Sequence, residues 1–182
     1  AYFKTHDVPF IVIGAGSNFL VSDQGIRCAV VNLGNALNGV WMEGENIVAE
    51  AGVRMAKFVD FCIQQGRQGV EMLAGIPGTI GGAVVMNAGA WEKEIGRVVT
   101  KVKCFDSKGR EKILTKSQLG FAYRKSVLQK GKFIVVEVVF KLKRAKPKII
   151  RQNISDYIKK RRRCQPLGIP NAGSIFKNPK NA

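Results

Sequence analysis

Five small or polar residues follow a short apolar strand near the start of the chain and form a first candidate site. The predicted strand is Pro9–Ile13, and the residues after it are Gly14, Ala15, Gly16, Ser17 and Asn18. A turn of this composition exposes backbone N–H groups and adds two side-chain donors, so it can bind an anion such as a phosphate. The Rossmann fingerprint is not met, because no third glycine stands three residues after Gly16 and no strong helix follows. On this loop alone, a plain structural turn is about as well supported as an anion site.

A second and denser glycine-rich segment lies between Ala74 and Ala90. It reads AGIPGTIGGA over residues 74–83 and NAGA over residues 87–90. Each glycine costs up to about 1 kcal/mol of chain entropy relative to alanine, so stability alone rarely selects such a segment. The usual reason is close approach of the backbone to a large ligand, with N–H groups directed at phosphates. We therefore favour a ligand-binding loop over a structural one, and we expect no ordinary helix or strand interior there.

Other side chains that could do chemistry are sparse. Ser174 lies in no Gly-x-Ser-x-Gly elbow, and the only histidine, His6, is an implausible base for it, so a hydrolase triad is unsupported. We expect His6 to be an exposed surface residue. The four cysteines are scattered, and three lie in apolar segments, which favours buried, reduced thiols over a zinc site or a disulfide framework.

The elements that must position these residues mix strands and helices without regular alternation. Alternating or apolar runs predict strands at Pro9–Ile13, Cys28–Leu33, Val40–Met42, Asn46–Ala49 and Lys132–Leu142, and a hairpin of Val98–Phe105 with Arg110–Leu114. Apolar residues spaced three or four apart predict helices at Val53–Gln65 and Lys148–Arg163, the latter with Pro147 as its first residue. This order fits an α+β fold better than a doubly wound parallel sheet.

The net charge of +17 is concentrated in one segment. Residues 141–163 contain eleven Lys and Arg against one acid, Asp156. Three interpretations stay open: a solvated helix face, a site for a nucleotide diphosphate, and a nucleic-acid surface. The segment has one aromatic residue, Tyr157, so it offers few platforms on which bases could stack.

Localisation is the least constrained property. No apolar run is long enough to span a bilayer, and the polar start at Ala1–Asp7 has no secretory pattern. Because the cysteines also suit a reducing compartment, we expect a cytoplasmic protein. The lack of an initiator methionine leads us to expect further residues before Ala1.

Four sequence elements together resemble the UDP-N-acetylenolpyruvoylglucosamine reductase (MurB) family. Val12–Leu20 and Gly75–Ala90 match its V-I-G-x-G-S-N-x-L and G-I-P-G-T-x-G-G-A-x-x-M-N-A-G-A patterns, with Ala15 in place of a commoner glycine. Phe121–Ser126 contains its Y-R-x-S element, and Asn171–Pro179 contains its A-G-S-x-F-K-N-P element. The resemblance implies a two-subdomain FAD-binding fold of the MurB and vanillyl-alcohol-oxidase-like type, with non-covalent FAD and with NADPH as co-substrate.

The resemblance also implies roles for individual residues. Ser174 would be the proton donor, Arg124 would face the substrate carboxylate, and Tyr123 would line the same pocket. Arg162 would be the cation near the nucleotide diphosphate. The residues implied for FAD binding are Gly14, Ala15, Gly16, Ser17, Asn18, Gly75, Ile76, Pro77, Gly78, Thr79, Gly81, Gly82, Asn87 and Gly89.

The expected reaction is reduction of UDP-N-acetylglucosamine enolpyruvate to UDP-N-acetylmuramate, in a bacterial monomer that binds neither nucleic acid nor membrane. Residues 1–146 would be the FAD-binding domain without its first stretch, and residues 147–182 the connecting helix and the start of a substrate-binding domain. The family's catalytic glutamate would lie beyond Ala182. The alternatives are another FAD-dependent oxidoreductase of the same fold and, from a different class, a basic nucleic-acid-binding module.

Overall fold

The computed structural model describes residues 2–34, 36–165 and 173–179. In chain order the strands are β1 (Phe10–Ile13), β2 (Ala29–Asn32), β3 (Val40–Glu43), β4 (Asn46–Glu50), β5 (Arg67–Gln68), β6 (Gly89–Ala90), β7 (Lys93–Glu94), β8 (Val99–Asp106), β9 (Glu111–Thr115), β10 (Phe133–Lys141) and β11 (Lys143–Arg144). The α-helices are α1 (Tyr2–Thr5), α2 (Met55–Gln64), α3 (Ile80–Val85), α4 (Lys116–Leu119) and α5 (Pro147–Cys164). Short 3₁₀ helices span Glu71–Leu73, Ile95–Arg97 and Val127–Lys130.

Two separate sheets carry the fold. The larger sheet is antiparallel, with the strand order β3-β4-β10-β8-β9. The strands β1 and β2 pair in parallel and form a small sheet of their own. The predicted strands and the predicted hairpin are therefore confirmed, and so is the α+β class.

Helix α2 and the larger sheet form the core. The apolar residues whose spacing predicts α2 are all buried, namely Met55, Phe58, Val59, Cys62 and Ile63. The centre of the Phe58 ring lies 4.6 Å from that of Phe140 on β10. The interior strand β4 buries Ile47, Val48 and Ala49 in succession. A strand that is covered on both faces has a continuous apolar run rather than an alternating one.

Helix α5 begins at Pro147, as predicted, since proline supplies the φ of a first helical residue and needs no N–H partner. Its Ile150 is 1% exposed, and Ile154, Tyr157 and Ile158 pack against the core. The opposite face carries the exposed lysines and arginines, so the amphipathic pattern decides which basic residues turn toward the body of the molecule.

One expectation about the glycine-rich segment is wrong. Residues Ile80–Val85 form the helix α3 despite the two glycines Gly81 and Gly82. The Thr79 side chain accepts a hydrogen bond from the Gly82 N–H and caps the helix at its N-terminus. Tertiary contacts therefore outweigh the low intrinsic helix propensity of glycine.

Two short helices, α1 and α4, were not predicted. They are only one turn long, so neither shows an apolar period that sequence patterns can detect. Helix α4 is defined by its ends: Thr115 and Gln118 form a capping box, and Gly120 ends the helix at a φ of 55°.

The cysteines follow the expectation in part. Cys62 and Cys104 are buried, and burial raises the pKa of both thiols above the ordinary value. Cys28 is half-buried and Cys164 is exposed. Within the described residues, no helix has both the length and the apolar character needed to cross a membrane.

A buried cation, Arg67, lies on the short strand β5. The side chain of Arg67 is 7% exposed, and its Nη1 lies 2.9 Å from the Glu45 carboxylate. Arg144 donates two further hydrogen bonds to the same carboxylate, at 3.2 and 2.5 Å. These bonds, first from Arg144 and then from Arg67, lower the pKa of Glu45 from 4.5 to about 2.

We predict that Glu45→Gln lowers the melting temperature near neutral pH, because it leaves the buried Arg67 without its carboxylate partner. A carboxyl group with a lowered folded-state pKa contributes stability above its unfolded pKa, and that stability is lost as the group protonates. The difference between the variant and the unchanged protein should therefore shrink as the pH falls from 4.5 toward 2. Melting curves across this range measure it, with Glu43→Gln as control on the same hairpin. A difference that does not change with pH would contradict the ion-pair account.

Candidate active site

An open cleft of about 2470 Å³ runs along the glycine-rich segments. Single small-molecule sites typically occupy about 300–1,000 Å³, so this cleft has room for a large cofactor and a second ligand. Of the predicted site residues, those that line it are Gly14, Ala15, Gly16, Ser17, Asn18, Gly75, Ile76, Pro77, Gly78, Thr79, Gly81, Gly82, Gly89, Tyr123, Arg124 and Ser174. The predicted residues Asn87 and Arg162 do not line it.

The first glycine loop follows β1 directly and leaves its backbone donors open. Among the described residues, no protein acceptor hydrogen-bonds to the backbone N–H groups of Gly16, Ser17 or Asn18. Gly16 adopts a φ of 73°, which a side chain would disfavour. Successive unpaired N–H groups in such a turn can bind an anion.

The second loop is fixed to the core by backbone hydrogen bonds. The Gly81 N–H donates to the carbonyl of Ala51 at 2.8 Å, and the Ile80 N–H donates to Val53 at 2.9 Å. A Cβ on Gly81 would lie 2.8 Å from the Cβ of Ala51, a distance that real side chains do not tolerate. Gly81 is therefore required for packing, and that requirement is independent of any ligand.

Gly82 differs from its neighbour. It is exposed and lines the cleft, and a Cβ there would meet only the Thr79 hydroxyl, at 3.6 Å. The fold can thus accept a side chain at this position. The space that such a side chain would occupy belongs to the cleft.

The two loops meet and form one wall. The Ser17 hydroxyl donates to the Pro77 carbonyl at 3.3 Å. A Cβ on Gly14 would lie 2.2 Å from the Thr79 hydroxyl oxygen, so the approach of the loops needs a glycine there. The predicted pair of glycine loops is one structural unit.

Tyr123 and Arg124 lie in a tight turn at the same cleft. The Arg124 guanidinium donates to the carbonyl of Gly89 at 2.7 Å and to that of Asn87 at 3.5 Å. It lies 5.2 Å from the centre of the Tyr123 ring. No carboxylate among the described residues forms an ion pair with Arg124, so its charge is not neutralised by a protein acid.

The segment that carries Ser174 contacts this turn. The backbone N–H of Asn178 donates to the Tyr123 hydroxyl at 3.3 Å. Ser174 itself is exposed and lines the cleft. The first two residues of the matching sequence element, Asn171 and Ala172, lie outside the described residues. Within the described part, Ser174 and Arg124 face one cavity although they are distant in sequence.

Arg161 is the basic residue in the last turn of α5 that lines the cleft, whereas the sequence analysis selected Arg162. Arg162 is exposed. Arg161 lies against Gly75, where an added Cβ would be 3.2 Å from its Nε atom, and that buried Nε has no hydrogen-bond partner among the described residues. Burial lowers the pKa of the Arg161 guanidinium below its ordinary value. The sequence could have indicated Arg161, because position 161 lies on the same face of α5 as the apolar residues that pack against the core.

Asn87 is buried inside the loop wall. It is 0% exposed, and its side-chain amide hydrogen-bonds to Glu94, Ala122 and Gly96, all within the protein. The amide therefore has no free donor or acceptor directed at the cleft. The sequence-based expectation that Asn87 contacts the cofactor has no geometric support.

Comparison with known proteins defines the class. Residues 1–115, more than half of the chain, match the model of the FAD-binding domain family, and the chain belongs to that family. This agrees with the predicted FAD cofactor. The open N–H groups of the first loop and the length of the glycine-lined cleft fit a dinucleotide with a pyrophosphate centre.

More specific relatives share the whole length of the chain. It is 40% identical over 179 residues to the UDP-N-acetylenolpyruvoylglucosamine reductase of Caldanaerobacter subterraneus subsp. tengcongensis, covering 98% of this chain and 59% of that protein. It is 39% identical over 176 residues to the reductase of the same name from Clostridium botulinum strain Hall, covering 97% of this chain and 57% of that protein. The predicted MurB resemblance is confirmed.

Solved structures agree with the fold. The crystal structure of the MurB of Thermus caldophilus matches with a TM-score of 0.83 and 33% identity, over 98% of this chain and 64% of that one. A Cu,Mo-CO dehydrogenase matches with a TM-score of 0.56 and 12% identity, over 75% of this chain and 52% of that one, which shows a shared fold only. The chain thus spans about three-fifths of the length of the relatives that it matches.

We predict that Gly81→Val lowers the stability of the protein, whereas Gly82→Val weakens its binding of FAD. Gly81→Val should lower the unfolding free energy by about 1–3 kcal/mol, since its side chain overlaps Ala51. Gly82→Val should keep the stability of the FAD-free protein but weaken FAD binding by about tenfold or more, comparable to losing one charge-assisted hydrogen bond. Urea unfolding and FAD titration separate the two effects, and Gly82→Ala provides a smaller step. Unchanged FAD affinity in Gly82→Val would remove this position from the cofactor site.

Proposed function

We propose that the whole protein is an NADPH-dependent flavoenzyme that reduces UDP-N-acetylglucosamine enolpyruvate to UDP-N-acetylmuramate, a step of peptidoglycan precursor synthesis. The observation that carries the proposal is Arg124, an arginine that has no carboxylate partner among the described residues and lies in the same cleft as the glycine loops and Ser174. The names of the relatives supply the substrate. We expect a monomer in the bacterial cytoplasm.

FAD would lie along the wall that the two glycine loops form. The N–H groups of Gly16, Ser17 and Asn18 would bind its pyrophosphate, and Gly82 would leave room for the cofactor next to the N-terminus of α3. When bound, FAD would supply the redox chemistry that links NADPH to reduction of the enolpyruvyl group at its C3 carbon. The protein's own residues supply position, charge and a proton.

Arg124 would bind the carboxylate of the enolpyruvyl group. Hydride addition at C3 places negative charge on C2 and on this carboxylate, and a fixed guanidinium stabilises that charge as it develops. Two carbonyl groups already fix the guanidinium, so little reorganisation is needed when the ligand arrives. The family resemblance implies that a glutamate shares this task.

Ser174 would donate its hydroxyl proton to C2. A hydroxyl is a weak acid, but an enolate-like carbon is basic enough to accept its proton when the geometry is fixed. The new C3–H bond comes from the hydride and the new C2–H bond from Ser174, so the enolpyruvyl ether becomes a lactyl ether. The contact between Tyr123 and Asn178 supports this placement, because it ties the Ser174 segment to the turn that carries Arg124.

The nucleotide diphosphate of the substrate would meet the basic end of α5. Arg162 remains our sequence-based candidate, and the geometry adds Arg161, which already lines the cleft beside Gly75. With residues 1–146 as the FAD-binding domain and residues 147–182 leading into a substrate-binding domain, α5 would connect the two. Tyr123 would line the substrate pocket.

We predict that Ser174→Ala in the full-length protein leaves the NADPH-dependent bleaching of the flavin almost unchanged and blocks the substrate-dependent step. General-acid catalysis contributes about a hundred- to ten-thousand-fold, so the second step should slow by that range. Stopped-flow absorbance measures each half-reaction separately. A cysteine at this position, a stronger acid than serine, should retain more activity than alanine.

The matched control is Ser155→Ala, a half-buried serine on α5 that does not line the cleft. It should leave both half-reactions unchanged. Equal slowing of both half-reactions in Ser174→Ala, or a normal rate with the enolpyruvyl substrate, would exclude Ser174 as the proton donor.

A further inference from the structure

Asn87 connects three segments that surround Arg124. Its Nδ2 group donates to the Glu94 carboxylate at 2.7 Å and to the Ala122 carbonyl at 2.8 Å. Its Oδ1 atom accepts the backbone N–H of Gly96 at 3.0 Å. Asn87 is 0% exposed; its bond to Gly96 is buried, and its bonds to Glu94 and Ala122 are partly buried. One amide thereby joins the segment after α3, the turn at β7 and the turn that carries Arg124.

The backbone of the same residue reaches Arg124 directly. Asn87 adopts a φ of 45°, a left-handed conformation that asparagine tolerates better than most residues other than glycine. The turn that follows directs the carbonyls of Asn87 and Gly89 at the two terminal nitrogens of Arg124. Between them, Ala88 is fixed by bonds to Ala83 and Ile95, at 2.7 and 2.8 Å.

The pose of Arg124 therefore depends on carbonyl groups and not on an acid. A guanidinium has five N–H donors, and the bonds to the Asn87 and Gly89 carbonyls use one donor on each terminal nitrogen. The remaining donors and the full positive charge are left for a ligand in the cleft. Carbonyls orient the group without neutralising it, whereas a carboxylate partner would compete with an anionic substrate.

We propose that Asn87 is a positioning residue that acts through Arg124 and sets the affinity of the site for the substrate carboxylate. This inference rests on the proposed function, because it takes the carboxylate as the ligand of Arg124. Asn87 does not contact the ligand. Its amide fixes the two carbonyls that hold the guanidinium, so loss of the amide releases Arg124 from its pose without removing the charge.

The test uses the full-length, FAD-loaded protein and two ligands that differ in the carboxylate. UDP-N-acetylglucosamine enolpyruvate carries the carboxylate, and UDP-N-acetylglucosamine lacks it. Asn87→Gly keeps the left-handed backbone accessible and removes only the amide. We expect affinity for the enolpyruvyl ligand to fall about 10- to 100-fold, the scale of one charge-assisted hydrogen bond. Affinity for UDP-N-acetylglucosamine should stay within about twofold.

A double-mutant cycle with Arg124→Ala distinguishes positioning from a general weakening of the fold. If Asn87 acts through Arg124, then Asn87→Gly should produce no further loss of carboxylate affinity once Arg124 is absent. The control is Asn38→Gly, which removes the amide of an exposed asparagine that does not line the cleft and leaves the Asn87 amide intact. It should leave the preference for the carboxylate ligand unchanged.

The possible outcomes distinguish an error in the role of Asn87 from an error in the proposed function. Equal loss for both ligands, or additive effects in the cycle, would overturn the role of Asn87 and leave the proposed function standing. If Arg124→Ala does not reduce the preference for the carboxylate ligand, the proposed function itself is wrong.

If Asn87→Gly no longer binds FAD, the decisive variant is Glu94→Ala, which removes one acceptor of the amide at a half-buried position. It should show the same selective loss to a smaller degree, and an unchanged carboxylate preference would overturn the inference.

Discussion

The cleft depends on the attachment of the second glycine loop to the end of the larger sheet. Three backbone hydrogen bonds join Gly78–Gly81 to Ala51–Met55, at 2.8 to 3.0 Å, and they require that Gly81 has no side chain. This attachment fixes Thr79, which caps α3 and limits how closely Gly14 can approach. The first loop, with its open N–H groups, therefore takes its place from the second. The glycines serve two purposes, since some permit backbone packing and others leave space in the cleft.

The cations of the cleft lack carboxylate partners among the described residues. Arg124 is oriented by carbonyls, and Arg161 has a buried Nε without a partner among the described residues. By contrast, the buried Arg67 outside the cleft forms an ion pair with Glu45, although its Nε, like that of Arg161, has no hydrogen-bond partner among the described residues. Unneutralised cations beside open N–H groups suit ligands that carry phosphate and carboxylate groups. A purely structural cation would be expected to resemble Arg67 in its pairing.

Much of this arrangement could be predicted from the sequence, because it depends on periodicity and on local chain entropy. The strands, α2 and α5 follow apolar patterns, and the glycine density marked both loops as places where backbone approaches something closely. Helix α3 could not be predicted, since its stability comes from the contact of Gly81 with Ala51 and not from propensity. The distinct roles of Gly81 and Gly82 likewise depend on which side each faces. Asn87 shows the same limit: its motif marks it as important, but only the tertiary structure shows an amide bound to two other segments.

The central claim is that the two glycine loops form one wall that holds FAD. The most direct measurement is the visible absorption spectrum of the purified protein, taken before and after equilibration with FAD and removal of the unbound cofactor. The account predicts flavin bands close to those of free FAD, retained in proportion to the protein. A spectrum without flavin bands after equilibration, from protein that is folded by circular dichroism, would contradict it.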